Sequence, residues 1–270
     1  MIDTTITSCR DLIWNSFLRP NYYNQGVSAY WLDETDGEGT GCPVHGYDTS
    51  FGPAAAFSQL WVGSWLNTFS RPVALLGEAP LVLTRGVWAG GARFGAVLWS
   101  SDIQSSFEQL ASMVPQGVHA SLSGVPWWTT DVGGYGCNFK PPSNSSYMRE
   151  LIVRWYQFGL FCPVFRTHGC RDGGEQEPNV PPCVNISGSC SPNEVWSYGP
   201  EAQVLLSAMI TYRAQVLKPY IADLARNVSA EGVPTMRPLW YEFPVRFLLY
   251  KHTLAHLLDP QTCARAALIC

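Results

Sequence analysis

The chain has 270 residues, of which 46% are hydrophobic and only 14% are charged, and its formal net charge is −4. This composition favours a large buried core and argues against an intrinsically disordered chain. The small negative charge, without a dense basic run, argues against nucleic acid as a partner. No apolar run approaches about 18 residues, so no membrane span is predicted. The start, MIDTTITSCR, lacks the apolar segment of a signal peptide.

Cysteines, glycosylation sequons and aromatic residues give weaker signals. The nine cysteines match neither a zinc ribbon nor a CxxC redox motif. Five of them fall in or near predicted loops and could form one or two disulfides: Cys137, Cys162, Cys170, Cys183 and Cys190. Three N-x-S/T sequons begin at Asn144, Asn185 and Asn227. Together with the loop cysteines they favour a secretory-pathway or extracellular parent, although sequons also arise by chance. The 11 tryptophans suit a core, and they also suit stacking on sugar faces.

The first predicted strand ends at a carboxylate. A helix and a turn are predicted over residues 10–25, and the apolar run Val27–Leu32 then ends at Asp33. Asp33 begins an acidic, glycine-rich stretch, which is typical of a plain turn after a strand. A carboxylate at the end of a barrel strand is instead a candidate nucleophile.

Two further strands end near charged side chains. A helix is predicted over residues 48–70 after Pro53, and PLVLT (80–84) is a short buried strand that ends at Arg85. An arginine there is either a salt-bridge partner or a fork of donors for a carboxylate or a sugar hydroxyl. The strand FGAVLW (94–99) precedes Asp102 by three residues.

The helix after Asp102 leaves two readings of that carboxylate open. Ser105-x-x-Glu108 is a capping-box pattern, and the apolar stripe predicted for the helix is Ile103, Phe107, Leu110 and Met113. Asp102 is therefore either a helix N-cap or a catalytic group.

The next two strands are GVPWW (124–128) and FCPVF (161–165), separated by a helix over residues 146–160. The first leads to Asp131 and the glycine pair 133–134, and the second to His168. A lone histidine is usually a satisfied core or surface group, but at a strand end it is a candidate donor to substrate.

The last third begins with an irregular stretch over residues 170–198, rich in Gly, Pro and Cys. A helix follows from Pro200, with a kink or break predicted at Pro219 and a strand in GVPTMRPLWYEFP. The apolar stripe predicted for this helix is Leu205, Met209, Tyr212, Val216, Tyr220 and Leu224. Alternating strands and helices favour an α/β fold with a parallel sheet, but five strand–loop units fall short of the eight in a closed barrel.

Several segments resemble glycoside hydrolase family 31, which contains α-glucosidases and α-xylosidases. They are YWLDETDGE, LTRGVWAGGARFGAVLWSSD, SLSGVPWWTTDVGGY, RWYQFGLFCPVFRTHG and PTMRPLWYEFP, and they occur in the order found in the family. The resemblance implies a (β/α)8 TIM barrel, of which this chain contains about strands four to eight, followed by the start of a C-terminal β-domain.

The resemblance also implies roles for individual residues. The W-x-D segment matches Trp31 and Asp33, which makes Asp33 the nucleophile, and the W-x-x-D segment matches Trp99 and Asp102, which makes Asp102 the general acid/base. The residues implied to contact substrate are Trp31, Arg85, Trp99, Trp127, Trp128, Asp131 and His168. The implied reaction retains the anomeric configuration through a covalent glycosyl-enzyme, on an α-linked glucoside or xyloside and without metal or organic cofactor. It requires two carboxyl groups about 5–5.5 Å apart.

The resemblance predicts three regions. Residues 1–232 form the partial catalytic barrel, residues 233–244 begin a C-terminal β-sandwich, and residues 245–270 are a divergent tail. Few residues precede the W-x-D segment, so a fragment of a longer enzyme is expected. The alternatives are an inactive or carbohydrate-binding remnant and an open reading frame without a stable fold. The family's W-x-D-M-N-E segment is WLDETD here, which leaves the choice between glucoside and xyloside open.

Overall fold

A computed structural model describes residues 2–35, 48–136, 141–169, 171 and 193–243 of the chain. These residues fall into two compact units, one that ends at Trp99 and one that begins at Ser100. Within the described residues, no helix is long and apolar enough to cross a membrane.

The first unit begins with a helical segment, as predicted for residues 10–25. Helix α1 (Thr7–Ile13) passes through a π-helical turn, Trp14–Leu18, into the short helix α2 (Arg19–Asn21). A 3-10 turn follows, and Gly26 stops it with a φ of 91°, in the left-handed region that glycine adopts without strain.

Three parallel strands, a small antiparallel hairpin and one long helix follow in this unit. In chain order the elements are β1 (Ala29–Leu32), β2 (Asp48–Thr49), β3 (Gly52–Pro53), α3 (Ala54–Leu75), β4 (Leu81–Thr84) and β5 (Ala96–Trp99). Strand β4 pairs in parallel with both β1 and β5, while β2 and β3 form a small antiparallel hairpin. The predicted helix after Pro53 and the strands in PLVLT and FGAVLW are confirmed.

The strand register separates two faces of this sheet. Tyr30, Val82 and Ala96 are opposite one another, and Val82 and Ala96 belong to the buried core. That core also contains residues of α3 and of the first helical segment, namely Ile13, Trp14, Leu18, Leu66, Phe69 and Val73. Because side chains alternate along a strand, Trp31, Leu83 and Val97 are on the opposite face of the sheet.

The second unit is mainly helical. Its elements are α4 (Phe107–Leu122), β6 (Trp128–Thr129), α5 (Ser146–Gly159), α6 (Pro200–Tyr212), a π-helical turn (Arg213–Leu217), α7 (Lys218–Glu231) and α8 (Leu239–Glu242). The helical spacing of Met148, Leu151, Ile152, Trp155 and Phe158 in α5 predicts a core-facing stripe. The first four are buried and Phe158 is half-buried. A parallel bridge between Val132 and Thr167 brings two loop segments of this unit side by side.

The predicted strand FCPVF is absent over residues 161–165. Helix α5 instead ends in turns, in which Phe161 and Cys162 donate to the carbonyls of Phe158 and Gly159. Arg213 donates to the carbonyl oxygens of Leu160, Cys162 and Pro163. A guanidinium group therefore occupies carbonyls that a strand ladder would need, and Pro163 has no N–H to donate. Among the described residues, pairing with β6 is limited to one bond, from the Val164 N–H to the Trp128 carbonyl at 3.4 Å.

The C-terminal strand predicted in residues 232–244 is also wrong for the described part, 232–243, where the regular element is helix α8. Ser121 Oγ accepts the N–H of Met236 at 3.1 Å, and Thr235 Oγ1 donates to the carbonyl of Pro126. These side-chain bonds use groups that a strand ladder would need. The division at residue 233 stays a prediction, and residues 245–270 lie outside the described part.

The stripe predicted for the helix from Pro200 is confirmed only in part. Leu224 is buried and Met209 and Tyr220 are half-buried, whereas Leu205, Tyr212 and Val216 are between 44% and 53% exposed. Ala202, Leu206 and Leu217 are buried in their place. Apolar residues lie on both sides of α6, so the sequence pattern alone does not show which side is buried. The π-helical turn then changes the helical register before α7.

Candidate active site

The residues at the ends of β1 and β4 meet in an ion pair. Arg85 Nη1 lies 3.5 Å from Asp33 Oδ1, and the Arg85 side chain is 6% exposed while that of Asp33 is 52% exposed. The N–H of Arg85 also donates to the carbonyl of Leu32 at 3.4 Å, which extends the β1–β4 pairing past the strand ends. A buried guanidinium thus orients a carboxylate that solvent can reach. The contact confirms Arg85 as an ion-pair partner, and its role towards a sugar hydroxyl stays a prediction.

Two backbone distortions adjoin the two candidate catalytic carboxylates. Glu34 has a φ of 55° and Ser101 has a φ of 63°, and within the described residues they are the two non-glycine residues with positive φ. Glu34 follows Asp33, and Ser101 precedes Asp102. A non-glycine residue in this region is strained, and such strain concentrates at functional sites.

Asp102 is not the cap of helix α4. The N-cap is Ser106, whose Oγ accepts the N–H of Gln109 at 3.1 Å. The predicted capping box at Ser105 is therefore one residue off. Of the stripe predicted for this helix, Ile103 and Met113 are buried and Phe107 and Leu110 are half-buried, and Gly117 and Ser121 continue the buried face of α4. Asp102 lies in the loop before the helix with an exposed side chain, and the structural role that competed with catalysis is already filled.

An exposed tryptophan lies beside Asp33. Trp31 is 50% exposed, and its ring packs edge-to-face against Trp99 with centroids 6.0 Å apart and planes at 78°. Trp99 is 3% exposed, so it supports Trp31 from within the core. The arrangement leaves one aromatic face available close to a carboxylate.

In the second unit, Asp131 is held by an arginine that the sequence reasoning did not select. The carboxylate is completely buried, and its Oδ1 lies 2.6 Å from Arg166 Nη1, whose side chain is 14% exposed. The main-chain N–H of Asp131 donates to Ser100 Oγ at 3.2 Å. Arg166 is the first residue of the R-x-H-G segment. Its position two residues before His168 is the sequence feature that could have identified it as a partner for a site carboxylate.

His168 lies in the segment paired with the Asp131 segment. Its ring stacks on Tyr135 with centroids 5.5 Å apart and planes at 26°. The Val132–Thr167 bridge and a bond from the Val132 N–H to the Arg166 carbonyl at 3.4 Å join the two segments. Asp131 and His168 are thus presented by two paired stretches of backbone.

The two adjacent tryptophans before Asp131 differ in environment. Trp127 is half-buried, whereas Trp128 is 3% exposed and packs against Phe158 of α5 with centroids 6.3 Å apart. This burial favours a core role for Trp128 over a sugar contact.

Cysteines and acidic residues give no sign of another centre in the described part of the chain. No group of three or more His, Cys, Asp and Glu side chains is arranged to hold a metal ion there. Cys162, one of the predicted loop cysteines, is a free and buried thiol. The other four, Cys137, Cys170, Cys183 and Cys190, lie outside the described residues.

Comparison with known proteins identifies the fold. Residues 1–224 match the family model described as the glycosyl hydrolases family 31 TIM-barrel domain. An α-xylosidase of Saccharolobus solfataricus is 30% identical over 241 residues, which cover 87% of this chain and 30% of that protein. A probable glucan 1,3-α-glucosidase of Oryza sativa is 33% identical over 188 residues, which cover 70% of this chain and 18% of that protein.

Solved structures of the same family superpose on this chain. A family 31 α-xylosidase from a soil metagenome, crystallised with xylose, is 30% identical and superposes with a TM-score of 0.80 over 92% of this chain and 36% of that one. The chain thus spans roughly a third or less of the length of these relatives. Its parallel strands and helices are part of a (β/α)8 barrel, as predicted. The chain belongs to glycoside hydrolase family 31.

Proposed function

We propose that this chain supplies the catalytic carboxylates of a retaining α-glycosidase that acts on α-glucosides or α-xylosides. The observation that carries the proposal is the Asp33–Arg85 pair, in which a guanidinium with 6% exposure orients a half-exposed carboxylate at the end of β1. Relatives named α-xylosidase and probable glucan 1,3-α-glucosidase support both substrate classes.

In the first step, an Asp33 carboxylate oxygen attacks the anomeric carbon and forms an ester bond. The glycosidic C–O bond breaks, and the Asp102 carboxyl proton passes to the leaving oxygen. In the second step, Asp102 takes a proton from water, the water oxygen bonds to the anomeric carbon, and the ester to Asp33 breaks. The product keeps the α configuration because the carbon is inverted twice.

The sugar is proposed to rest on Trp31 and to be held by hydrogen bonds. Arg85 and His168 are proposed to donate hydrogen bonds to its hydroxyl groups. Asp131, held by the ion pair with Arg166, is proposed to accept a hydrogen bond from a sugar hydroxyl. Trp127 is half-buried and remains a proposed contact, whereas Trp99, which is 3% exposed, is proposed to act by supporting Trp31.

Leaving-group dependence separates the roles of the two carboxylates. We expect Asp33→Ala to abolish hydrolysis of both 4-nitrophenyl α-glycosides and α-glycosyl fluorides, because each needs the nucleophile. Asp102→Ala is expected to lose hydrolysis of glycosides with poor leaving groups but to keep the first step with fluorides, which leave without a proton. The exposed residues Asp11 and Asp223 supply matched controls as Asp11→Asn and Asp223→Asn.

Each outcome is informative. Turnover that persists in Asp33→Ala contradicts the assignment of the nucleophile. Saturable sugar binding by a folded wild-type chain without turnover of either substrate type favours the alternative, a carbohydrate-binding protein. The ratio of xyloside to glucoside turnover decides the substrate class.

A further inference from the structure

The loop that carries Asp131 has an unusual backbone. We name residues 131–136 the Asp131 loop; its glycines, Gly133, Gly134 and Gly136, have φ values of 93°, 78° and 94°. Such a chain is free to adopt many conformations, so something must select the one that places Asp131 and stacks Tyr135 on His168.

Arg171 lies beneath this loop and binds its backbone. The residue is 0% exposed, and its Nη1 donates to the carbonyl of Gly134 at 2.7 Å, while its Nη2 donates to that of Val132 at 3.5 Å. Its Nη1 also reaches Ser105 Oγ at 3.3 Å, and its Nε donates to Tyr198 Oη at 2.9 Å. One rigid guanidinium therefore joins the carbonyl oxygens on both sides of Gly133.

The neighbouring glycines leave the space that the guanidinium occupies. A Cβ atom on Gly133 would lie 2.4 Å from Arg171 Nη2, and one on Gly169 would lie 3.0 Å from Nη1. Gly169 directly follows His168. Because Gly133 and Gly169 have no Cβ atom, the guanidinium of Arg171 fits against the backbone near Asp131 and His168.

Tyr198 anchors the far side of Arg171. Burial raises the pKa of Tyr198, which keeps its hydroxyl protonated, so the oxygen accepts from Arg171 while the proton is donated to Asn193 Oδ1. Tyr198 ends the 3-10 turn that precedes helix α6. The guanidinium is therefore fixed between a helix start and the Asp131 loop.

We propose that Arg171 is a positioning residue of the sugar site. It sets the direction of the Asp131 carboxylate and the plane of the Tyr135 ring against His168, and it acts on substrate only through them. This inference rests on the proposed function for its sugar-binding consequence, but the loop geometry that it predicts is measurable without any sugar.

The test compares Arg171→Lys with Arg10→Lys. Arg10 also binds main-chain carbonyls, those of Thr4 and Thr5, but it belongs to the first unit and contacts no proposed site residue. The first readout is the His168 Hε1 proton signal, identified among the five histidines by its loss in His168→Gln. Tyr135→Leu supplies the shift expected when ring stacking is lost.

We expect Arg171→Lys to move the His168 signal towards its position in Tyr135→Leu, and Arg10→Lys to leave it in place. In the same samples, kcat/KM for the preferred glycoside, or affinity for xylose or glucose, is expected to fall about 100-fold in Arg171→Lys, the size expected of a displacement near 1 Å. If Arg171→Lys does not fold, Tyr198→Phe removes only the far anchor, and its His168 signal is expected to move part of the way.

An unchanged His168 signal in folded Arg171→Lys, or in Tyr198→Phe where that variant replaces it, overturns the positioning role. Equal losses of sugar binding in Arg171→Lys and Arg10→Lys also overturn it, because the effect would then be one of general stability. A wild-type chain that neither turns over a glycoside nor binds sugar contradicts the proposed function, while the His168 signal still decides the role of Arg171 in the loop.

Discussion

Removing either charge of the Asp131–Arg166 pair should destabilise the second unit strongly. The two groups are 2.6 Å apart with side chains 0% and 14% exposed, so the pair is almost fully removed from water. At this distance and an effective dielectric constant of about 20, their attraction is about 6 kcal/mol, and the cost of desolvating both groups offsets much of it. Leaving one charge buried alone costs about 3–5 kcal/mol, which is the loss expected for Asp131→Leu or for Arg166→Met.

A double-mutant cycle isolates the pair from other effects of each substitution. The unfolding free energy is measured in urea for the wild type, both single variants and Asp131→Leu/Arg166→Met. Because the double variant removes both charges of the pair, its loss should be close to that of one single variant, which corresponds to a coupling of about 3–5 kcal/mol. The exposed pair Asp223–Arg226, with side chains 59% and 70% exposed, is the control and should couple by less than about 1 kcal/mol. Losses at Asp131 and Arg166 that simply add would refute the argument, since the two charges would then not depend on each other.

Two further predictions concern the core. Gly117→Ala should lower the unfolding free energy by about 1–3 kcal/mol, because a Cβ there would lie 2.9 Å from both Trp128 and Met236. Gly63→Ala on α3, where a Cβ would have nothing within 4 Å, should instead raise it by about 0.5–1 kcal/mol. Urea titrations of both variants test this, and equal effects would contradict it. Burial raises the pKa of the Cys162 thiol to about 12, so the folded state holds this proton more tightly than the unfolded chain. The resulting stabilisation of the folded state is therefore complete below about pH 8.5 and is lost as the pH rises towards 12. Iodoacetamide at pH 8.5 should label Cys162 only when the chain unfolds. Rapid labelling of the native chain, detected by the mass of the Cys162 peptide, would contradict this.

The parts of the site that the sequence alone predicted depend on local patterns within short stretches of the chain. An apolar run followed by Asp33 or Arg85 identifies a buried strand and its end. Parallel pairing then brings such ends to the same edge of a sheet, and the 3.5 Å contact between Asp33 and Arg85 follows from that rule. The resemblance to the family added the roles, and the roles of Asp33 and Asp102 stay predictions until tested.

The parts that sequence reasoning missed depend on partners far away in the chain. Arg166 and Arg171 could be seen as cations, but the carboxylate and carbonyls that they bind are 35 to 39 residues earlier. FCPVF has the composition of a strand, but its first residues continue α5 in turns, and Arg213, about 50 residues later in the chain, binds the carbonyls of Leu160, Cys162 and Pro163. Ser105 and Ser106 are adjacent, and local pattern did not reveal that Ser105 is taken by buried Arg171 and so leaves the cap to Ser106.

The identity of the nucleophile is the central claim, and trapping the covalent intermediate tests it most directly. The wild-type chain would be incubated with α-xylosyl and α-glucosyl fluorosugars whose glycosyl-enzymes hydrolyse slowly, and the digested protein would be mapped by mass spectrometry. We predict that one fluorosugar is attached to the peptide that contains Asp33, and that Asp33→Ala remains unlabelled while Asp223→Asn is labelled like the wild type. A sugar attached to Asp102 or to another residue, or no attachment to the folded chain, would contradict the account.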